Sequence, residues 1–149
     1  MPTFTKLHYH LVFSTKGRRG LIDPSWEDDL YGYIGGILRQ QGGVLLAAGG
    51  MADHVHLLIG SRPDIALSDL LRDIKSLSSG WVHEVKGVLD FTWQEGYSAF
   101  TVSHSALEDV RHYVKTQKEH HRQRDYKEEL LMMLKLNEVD FDERYVFVG

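Results

Sequence analysis

Cysteine is absent from the 149 residues. Its absence excludes a disulfide framework, a zinc–thiolate centre and a thiol nucleophile, and makes a reducing cytosol the default compartment. Long apolar runs are missing too, since none approaches the ~20 residues that cross a bilayer. The opening residues, Met1-Pro2-Thr3-Phe4-Thr5-Lys6, lack the apolar stretch of a secretory signal. Positive charge is in deficit: the formal net charge is −4, which by itself argues against a nucleic-acid partner. The deficit is local. Residues 128–149 hold six acidic and two basic side chains, whereas residues 1–127 carry 15 of each sign. Basic clusters stand at Lys16-Gly17-Arg18-Arg19 and across Arg111, Lys115, Lys118, Arg122 and Arg124. Each is either a phosphate-neutralising surface or a solvated face.

What is present is 42% hydrophobic and 26% charged, the composition of an ordinary globular protein. The length fits one domain and not two. With no internal repeat, low-complexity tract or linker, the reading is a single domain over residues 1–149. Its core spans residues 4–124, followed by an acidic helix and tail over 125–149.

Residues 7–14 alternate as a half-buried strand should, with Leu7, Tyr9, Leu11 and Phe13 on one side and His8, His10, Val12 and Ser14 on the other. Pro24 or Ser25 opens a helix whose apolar residues recur at helical spacing from Trp26 to Leu38, and Gly42-Gly43 closes it. Residues 44–48 and 54–59 read as a hairpin of two strands joined by a turn over residues 49–53. A second helix begins at Ser68 or Asp69 and ends near Gly87. A fourth strand lies within residues 91–102, with Gly96 as a bend. Ser105 and Glu108 form a capping-box pattern for a helix running to about Arg124, and a shorter helix covers residues 127–136. The order β-α-β-β-α-β predicts an α+β, ferredoxin-like or RRM-like antiparallel sheet with an added C-terminal tyrosine-bearing helix. Both crossover helices would cover one face, and His8, His10, His54 and His56 would gather on the opposite, open face.

Two constellations carry chemistry. In Asp53-His54-Val55-His56-Leu57-Leu58 the histidines at i and i+2 project from one face of a strand, roughly 7 Å apart at Cα, close enough to converge on one divalent ion. Exposed strand histidines are the plainer alternative. In Arg111-His112-Tyr113-Val114-Lys115-Thr116-Gln117, Tyr113 and Gln117 share a helix face at i and i+4. A lone tyrosine there would be a packing residue. Asp53 either forms the turn or orients an imidazole. His120 and His121 either touch nucleic acid or sit favourably at a helix C-terminus. Trp93 and Tyr97 either pack in the core or stack on unpaired bases.

The segments Tyr9–Lys16, Met51–Leu58 and Tyr113–Gln117 resemble the single-tyrosine HUH transposases. These are the TnpA-type enzymes of small insertion sequences and their REP-associated tyrosine transposase relatives. Weaker likeness appears at Lys75–Ser79 and Trp93–Tyr97, and the match runs from about residue 4 to residue 121. Ala52 departs from the proline of many relatives, a change that bears only on turn stiffness.

The resemblance implies that His54, His56 and Gln117 bind Mg²⁺ or Mn²⁺ and that Tyr113 is the nucleophile. Single-stranded DNA would be cut and rejoined at element ends through a 5′-phosphotyrosine, without a nucleotide cofactor. It further implies hairpin DNA as ligand, a homodimer, a cytoplasmic bacterial or archaeal setting and no membrane partner. Lys16, Arg18, Arg19, Lys115, Lys118 and Arg122 are the candidate phosphate contacts. Alternatives are a domesticated enzyme, a replication or mobilisation nickase with the same chemistry, and a non-catalytic RRM-like nucleic-acid-binding module.

Overall fold

The structure, a computed structural model, describes residues 2–120 and 124–147. Four strands, β1 (Leu7–Ser14), β2 (Val44–Met51), β3 (His54–Ser61) and β4 (Ser98–Thr101), form one sheet in the order β2-β3-β1-β4. Every pairing is antiparallel. Helices α1 (Glu27–Gln40) and α2 (Leu67–Trp81) complete the β-α-β-β-α-β order, so the ferredoxin-like α+β arrangement expected from the alternation is the observed one. The first and third strands lie at the centre. Leu11, Phe13, Val55, Leu57 and Ile59 are fully buried beneath Leu30, Ile34, Leu38, Leu71 and Ile74 of the two helices. At ~25 cal/mol per Å² of apolar surface, this layer is the main source of stability.

The opposite face is not open. Helices α3 (Leu107–Lys115), α4 (Gln117–His120) and α5 (Tyr126–Leu136) follow the sheet. Val114 and Leu107 of α3 pack on Ala47 and Leu58. Tyr126, Leu130, Met133 and Leu134 of α5 pack on Val12 and Phe100. His10, His54 and His56 lie between these two apolar clusters and are buried, whereas His8 stays partly exposed. The apolar positions of α5 supply the reason, because Tyr126, Leu130, Met133 and Leu134 make one helical stripe that has to be buried somewhere.

Local departures from the expected boundaries have local causes. Strand β2 continues through Gly49 and Gly50 to Met51, leaving Ala52 and Asp53 as the turn. The two glycines serve close approach, not chain reversal. A Cβ at Gly49 would lie 2.0 Å from the Val114 carbonyl oxygen, and one at Gly50 would lie 2.2 Å from the His54 carbonyl oxygen. Helix α3 starts through a 3-10 turn at His104–Ala106. Ser105 Oγ lies 3.2 Å from Ser103 Oγ, and Glu108 pairs with Arg111, so the capping box does not form. The long helix expected to reach Arg124 breaks at Thr116 (φ −103, ψ 28). The Thr116 hydroxyl donates to the His112 carbonyl at 2.8 Å, a back-bond to i−4 that bends helices.

Candidate active site

Strand register sets the histidines. In the β1/β3 pair His54 faces Ser14 and His56 faces Val12, which makes His10 a diagonal neighbour of His56. His10 Nε2 lies 2.8 Å from His56 Nδ1, and the rings stack at 5.0 Å. His8 does not join them. It sits further along β1, 6.2 Å from the His104 ring.

His54 and His56 are each anchored through Nδ1 and direct Nε2 to the same place. His54 Nδ1 lies 2.7 Å from Asp53 Oδ1, while His56 Nδ1 is held by His10. His56 Nε2 is 2.8 Å, and His54 Nε2 3.5 Å, from Glu129 Oε1 on α5. The Tyr113 hydroxyl donates to the other oxygen of that carboxylate, Glu129 Oε2. His54, His56 and Glu129 are 1%, 0% and 1% exposed, so the expectation of strand histidines facing solvent fails. Tyr113 is half-buried, with its ring stacked on His120 at 4.6 Å and lying 5.8 Å from His56. Gln117 is buried by the break at Thr116, and its amide donates to the Tyr113 carbonyl at 2.9 Å.

Protonation follows from these contacts. Burial, then the neighbouring His56, pushes His10 down to about 3 against the opposing pull of Glu129, so His10 is a neutral ring. Burial also opposes charge on His54, but hydrogen bonds with Asp53 and Glu129 outweigh it and raise the pKa above the usual imidazole range. Tyr113 is raised well above the phenol range, first by burial and then by its bond to Glu129. It rests as a neutral phenol.

Two imidazole nitrogens and a carboxylate oxygen lying within 4.8 Å of one another suit a divalent ion. The anchored Nδ1 atoms are what a metal-binding imidazole needs, because the partner at Nδ1 fixes tautomer and ring orientation. With an ion at His56 Nε2, Nδ1 has to carry the ring proton and donate it to the neutral His10.

The site opens through a cleft of about 430 Å³ lined by Tyr113, Glu119, His120, Arg124 and Glu129. Of the expected phosphate contacts, Lys16 and Lys115 are exposed. Arg18 donates to the Phe147 carbonyl at 3.1 Å, Arg19 pairs with Asp90 at 2.7 Å, and Lys118 pairs with Glu27 at 2.8 Å. Arg122 and His121 lie outside the described residues.

Glu129 was counted with the acidic charge of the tail, and that assignment is corrected by its burial. The signal was present in the sequence. Positions 126, 129, 130, 133 and 134 form one helical stripe, and a carboxylate interrupts four apolar residues on it.

Residues 3–117 match the family model described as Transposase IS200 like. The chain is 27% identical to the ISDra2 transposase TnpA of Deinococcus radiodurans over 118 residues, 75% of this chain and 84% of that one. It is 30% identical to the transposase for insertion sequence element IS200 of Salmonella typhimurium over 121 residues, covering 74% and 76%. A crystal structure of a Deinococcus radiodurans protein described as a transposase superposes with a TM-score of 0.65 at 28% identity, covering 76% of this chain and 92% of that one. The fold is also that of a REP-associated tyrosine transposase bound to a REP hairpin, with a TM-score of 0.54 at 18% identity over 76% and 66% of the two chains. With the family model matched over most of this chain and a paired-histidine site beside a tyrosine helix, this chain belongs to the IS200-like transposase family.

Proposed function

We propose that the protein is a metal-dependent strand transferase that cuts single-stranded DNA with Tyr113 and rejoins it at the ends of an insertion element. One observation carries the reading: the Tyr113 hydroxyl and the Nε2 atoms of His54 and His56 converge on a single carboxylate at the mouth of a cleft. His54 and His56 through Nε2, with Gln117 and Glu129 as oxygen donors, would hold Mg²⁺ or Mn²⁺. Imidazole ligands favour Mn²⁺, and four protein donors leave octahedral positions open. When bound, the ion neutralises charge developing on the phosphate and orients it for in-line attack.

The chain's own groups supply the rest. Tyr113 Oη bonds to the scissile phosphorus as the phosphorus–O3′ bond breaks, leaving a 5′-phosphotyrosine and a 3′-hydroxyl. The phenol proton has an acceptor in place at Glu129 Oε2, and the departing O3′ takes up a proton. The phosphodiester energy is kept in the tyrosyl ester, so a second 3′-hydroxyl reseals the strand without ATP. Hairpin DNA is the proposed ligand and a homodimer the proposed assembly, with Lys16, Arg18, Arg19, Lys115, Lys118 and Arg122 as phosphate contacts. The first three border the histidine strand's turn, where Thr15 N donates to the Asp53 carbonyl at 2.9 Å.

The test is strand polarity. Single strands carrying the element ends, incubated with Mn²⁺, are expected to give a 3′-terminal fragment bound to protein and a 5′-terminal fragment that a polymerase extends. Two free fragments with no adduct would show hydrolysis instead and overturn the reading.

Two further outcomes follow from the histidine contacts. His10→Phe removes the partner of His56 Nδ1 but keeps a ring of similar volume. Mn²⁺ affinity measured by calorimetry should fall about 10- to 100-fold, the usual cost of losing such a partner. Metal affinity should also rise with pH through and above the ordinary imidazole value of 6.5. The ion requires neutral imidazole, and the raised pKa of His54 carries proton competition to higher pH than a free histidine would. A flat affinity between pH 6 and 8 would contradict that assignment.

A further inference from the structure

The two segments of weaker family likeness, Lys75–Ser79 and Trp93–Tyr97, meet in space. They form the walls of a cleft of about 390 Å³ on the α2 side of the sheet, whose lining includes Arg72, Lys75, Ser76, Trp93, Gln94 and Tyr97. The cleft has a rigid floor. Lys75 Nζ donates to the carbonyls of Gln94 at 3.0 Å, Glu95 at 3.2 Å and Gly96, which uses the three donors an ammonium has. The same nitrogen sits 5.3 Å from the Phe13 ring centroid and 5.6 Å from that of Tyr97. Lys75 therefore clamps the loop and positions the Tyr97 ring. Trp93 is likewise fixed, with its indole N–H donating to Ser78 Oγ at 2.9 Å. Tyr97 remains 38% exposed and the Arg72 side chain 67% exposed, with its guanidinium 3.3 Å from both Asp69 Oδ1 and Asp73 Oδ1. The cleft therefore offers a positioned aromatic ring beside a solvent-facing cation whose carboxylate partners a phosphate would have to displace.

One residue joins this cleft to the histidine site. The backbone of Gln94 accepts Lys75, while its side-chain oxygen accepts from Ser14 N at 2.6 Å and from the Tyr126 hydroxyl at 3.3 Å. Ser14 is the cross-strand partner of His54, and the Tyr126 ring lies 4.7 Å from the His54 ring. Gln94 and the end of β1 thus lie between the histidine site and the cleft. The backbone N of Lys16 donates to the carbonyl of Thr92, a residue of the cleft lining, at 2.8 Å.

We propose that this cleft holds one unpaired nucleotide of the single strand, its base against the Tyr97 ring and its phosphate at Arg72. An apolar wall with an exposed ring and a cationic rim suits the flat face and the charge of a nucleotide, and stacking on an aromatic ring does not depend on which base is present. The inference rests on the strand-transfer reading for the path of the DNA, and its test is separable from that reading.

The measurement is fluorescence anisotropy with a labelled oligo(dT) of about 15 nucleotides, in EDTA so that no cleavage occurs. Tyr97→Leu should weaken binding about 5- to 100-fold, the range of one lost base stack. Tyr97→Phe should bind as the wild type does. Ser76→Glu, at an exposed position of α2 where folding is not at stake, should weaken binding by placing a carboxylate at the mouth. Wild-type affinity in both Tyr97→Leu and Ser76→Glu would overturn the cleft, as would a wild-type protein that does not bind the oligonucleotide. If the wild type forms the Tyr113 adduct while the cleft variants bind normally, the cleft alone falls. If the cleft variants lose binding and no adduct forms in the wild type, the cleavage reading alone falls.

Discussion

Tyr113→Phe is expected to abolish the covalent protein–DNA adduct while leaving hairpin binding intact. The substitution removes one atom, the oxygen that forms the new bond to phosphorus. It keeps the ring that stacks on His120 at 4.6 Å and lies 5.8 Å from His56. The folding cost is modest. Glu129 Oε2 loses one donor, worth about 1–3 kcal/mol for a buried group, against the 5–15 kcal/mol that holds a domain of this kind together. Loss of the adduct at unchanged hairpin affinity therefore isolates chemistry from binding. Residual adduct would point to another nucleophile. Tyr126 is the nearest, with its ring 4.7 Å from His54, but its hydroxyl lies 3.3 Å from Gln94 Oε1 and its pKa is pushed up to about 12, first by burial.

The second large effect is expected from the histidine pair. His54→Ala or His56→Ala should reduce Mn²⁺-dependent cleavage by about 10³-fold or more, because charge stabilisation by a catalytic metal is worth several kcal/mol. The two variants differ in what they leave behind. His56→Ala removes the ring that faces His10 Nε2 and one of the partners of Glu129 Oε1 in the interior, so part of its effect is lost stability. His54→Ala leaves Asp53, which is 31% exposed and open to water, and is the cleaner test. Cleavage rates, Mn²⁺ calorimetry and a melting curve on the same preparation separate the contributions. Undiminished cleavage in His54→Ala with native melting would discredit the ligands.

The sequence was most legible where periodicity has only one physical solution. Alternation over residues 7–14 placed Leu11 and Phe13 in the core and His10 on the other face, as observed. The i, i+2 spacing of His54 and His56 likewise fixed a shared face, and the β-α-β-β-α-β order put their strand beside β1. It was least legible where a residue serves an unexpected neighbour. Gly49 and Gly50 read as a turn because glycine favours turns, yet here they let the α3 backbone and the histidine strand come close. Thr116 read as one more helical residue, whereas its hydroxyl bends the helix and turns Gln117 inward.

Glu129 marks the main gap. Charge counting assigned it to the acidic helix and tail, and the family match ends at residue 117, before α5 begins. Only the helical phase of residues 126–134 sets it on the buried stripe, and only the tertiary structure brings that stripe over His56. The same covering argues against the alternative of a non-catalytic RRM-like binding module, which needs an exposed platform on that face. Of the central-strand histidines on that face, His10, His54 and His56 are buried and only His8 is partly exposed, so they present no stacking platform to nucleic acid.

The most direct measurement of the account is the position of the covalent bond. After incubation of the wild-type protein with Mn²⁺ and single-stranded element ends, nuclease trimming and peptide mass spectrometry should find one nucleotide-bearing peptide, with the phosphate on Tyr113. A phosphorylated peptide carrying Tyr97 or Tyr126 instead, or DNA that is cut with no modified tyrosine at all, would contradict it.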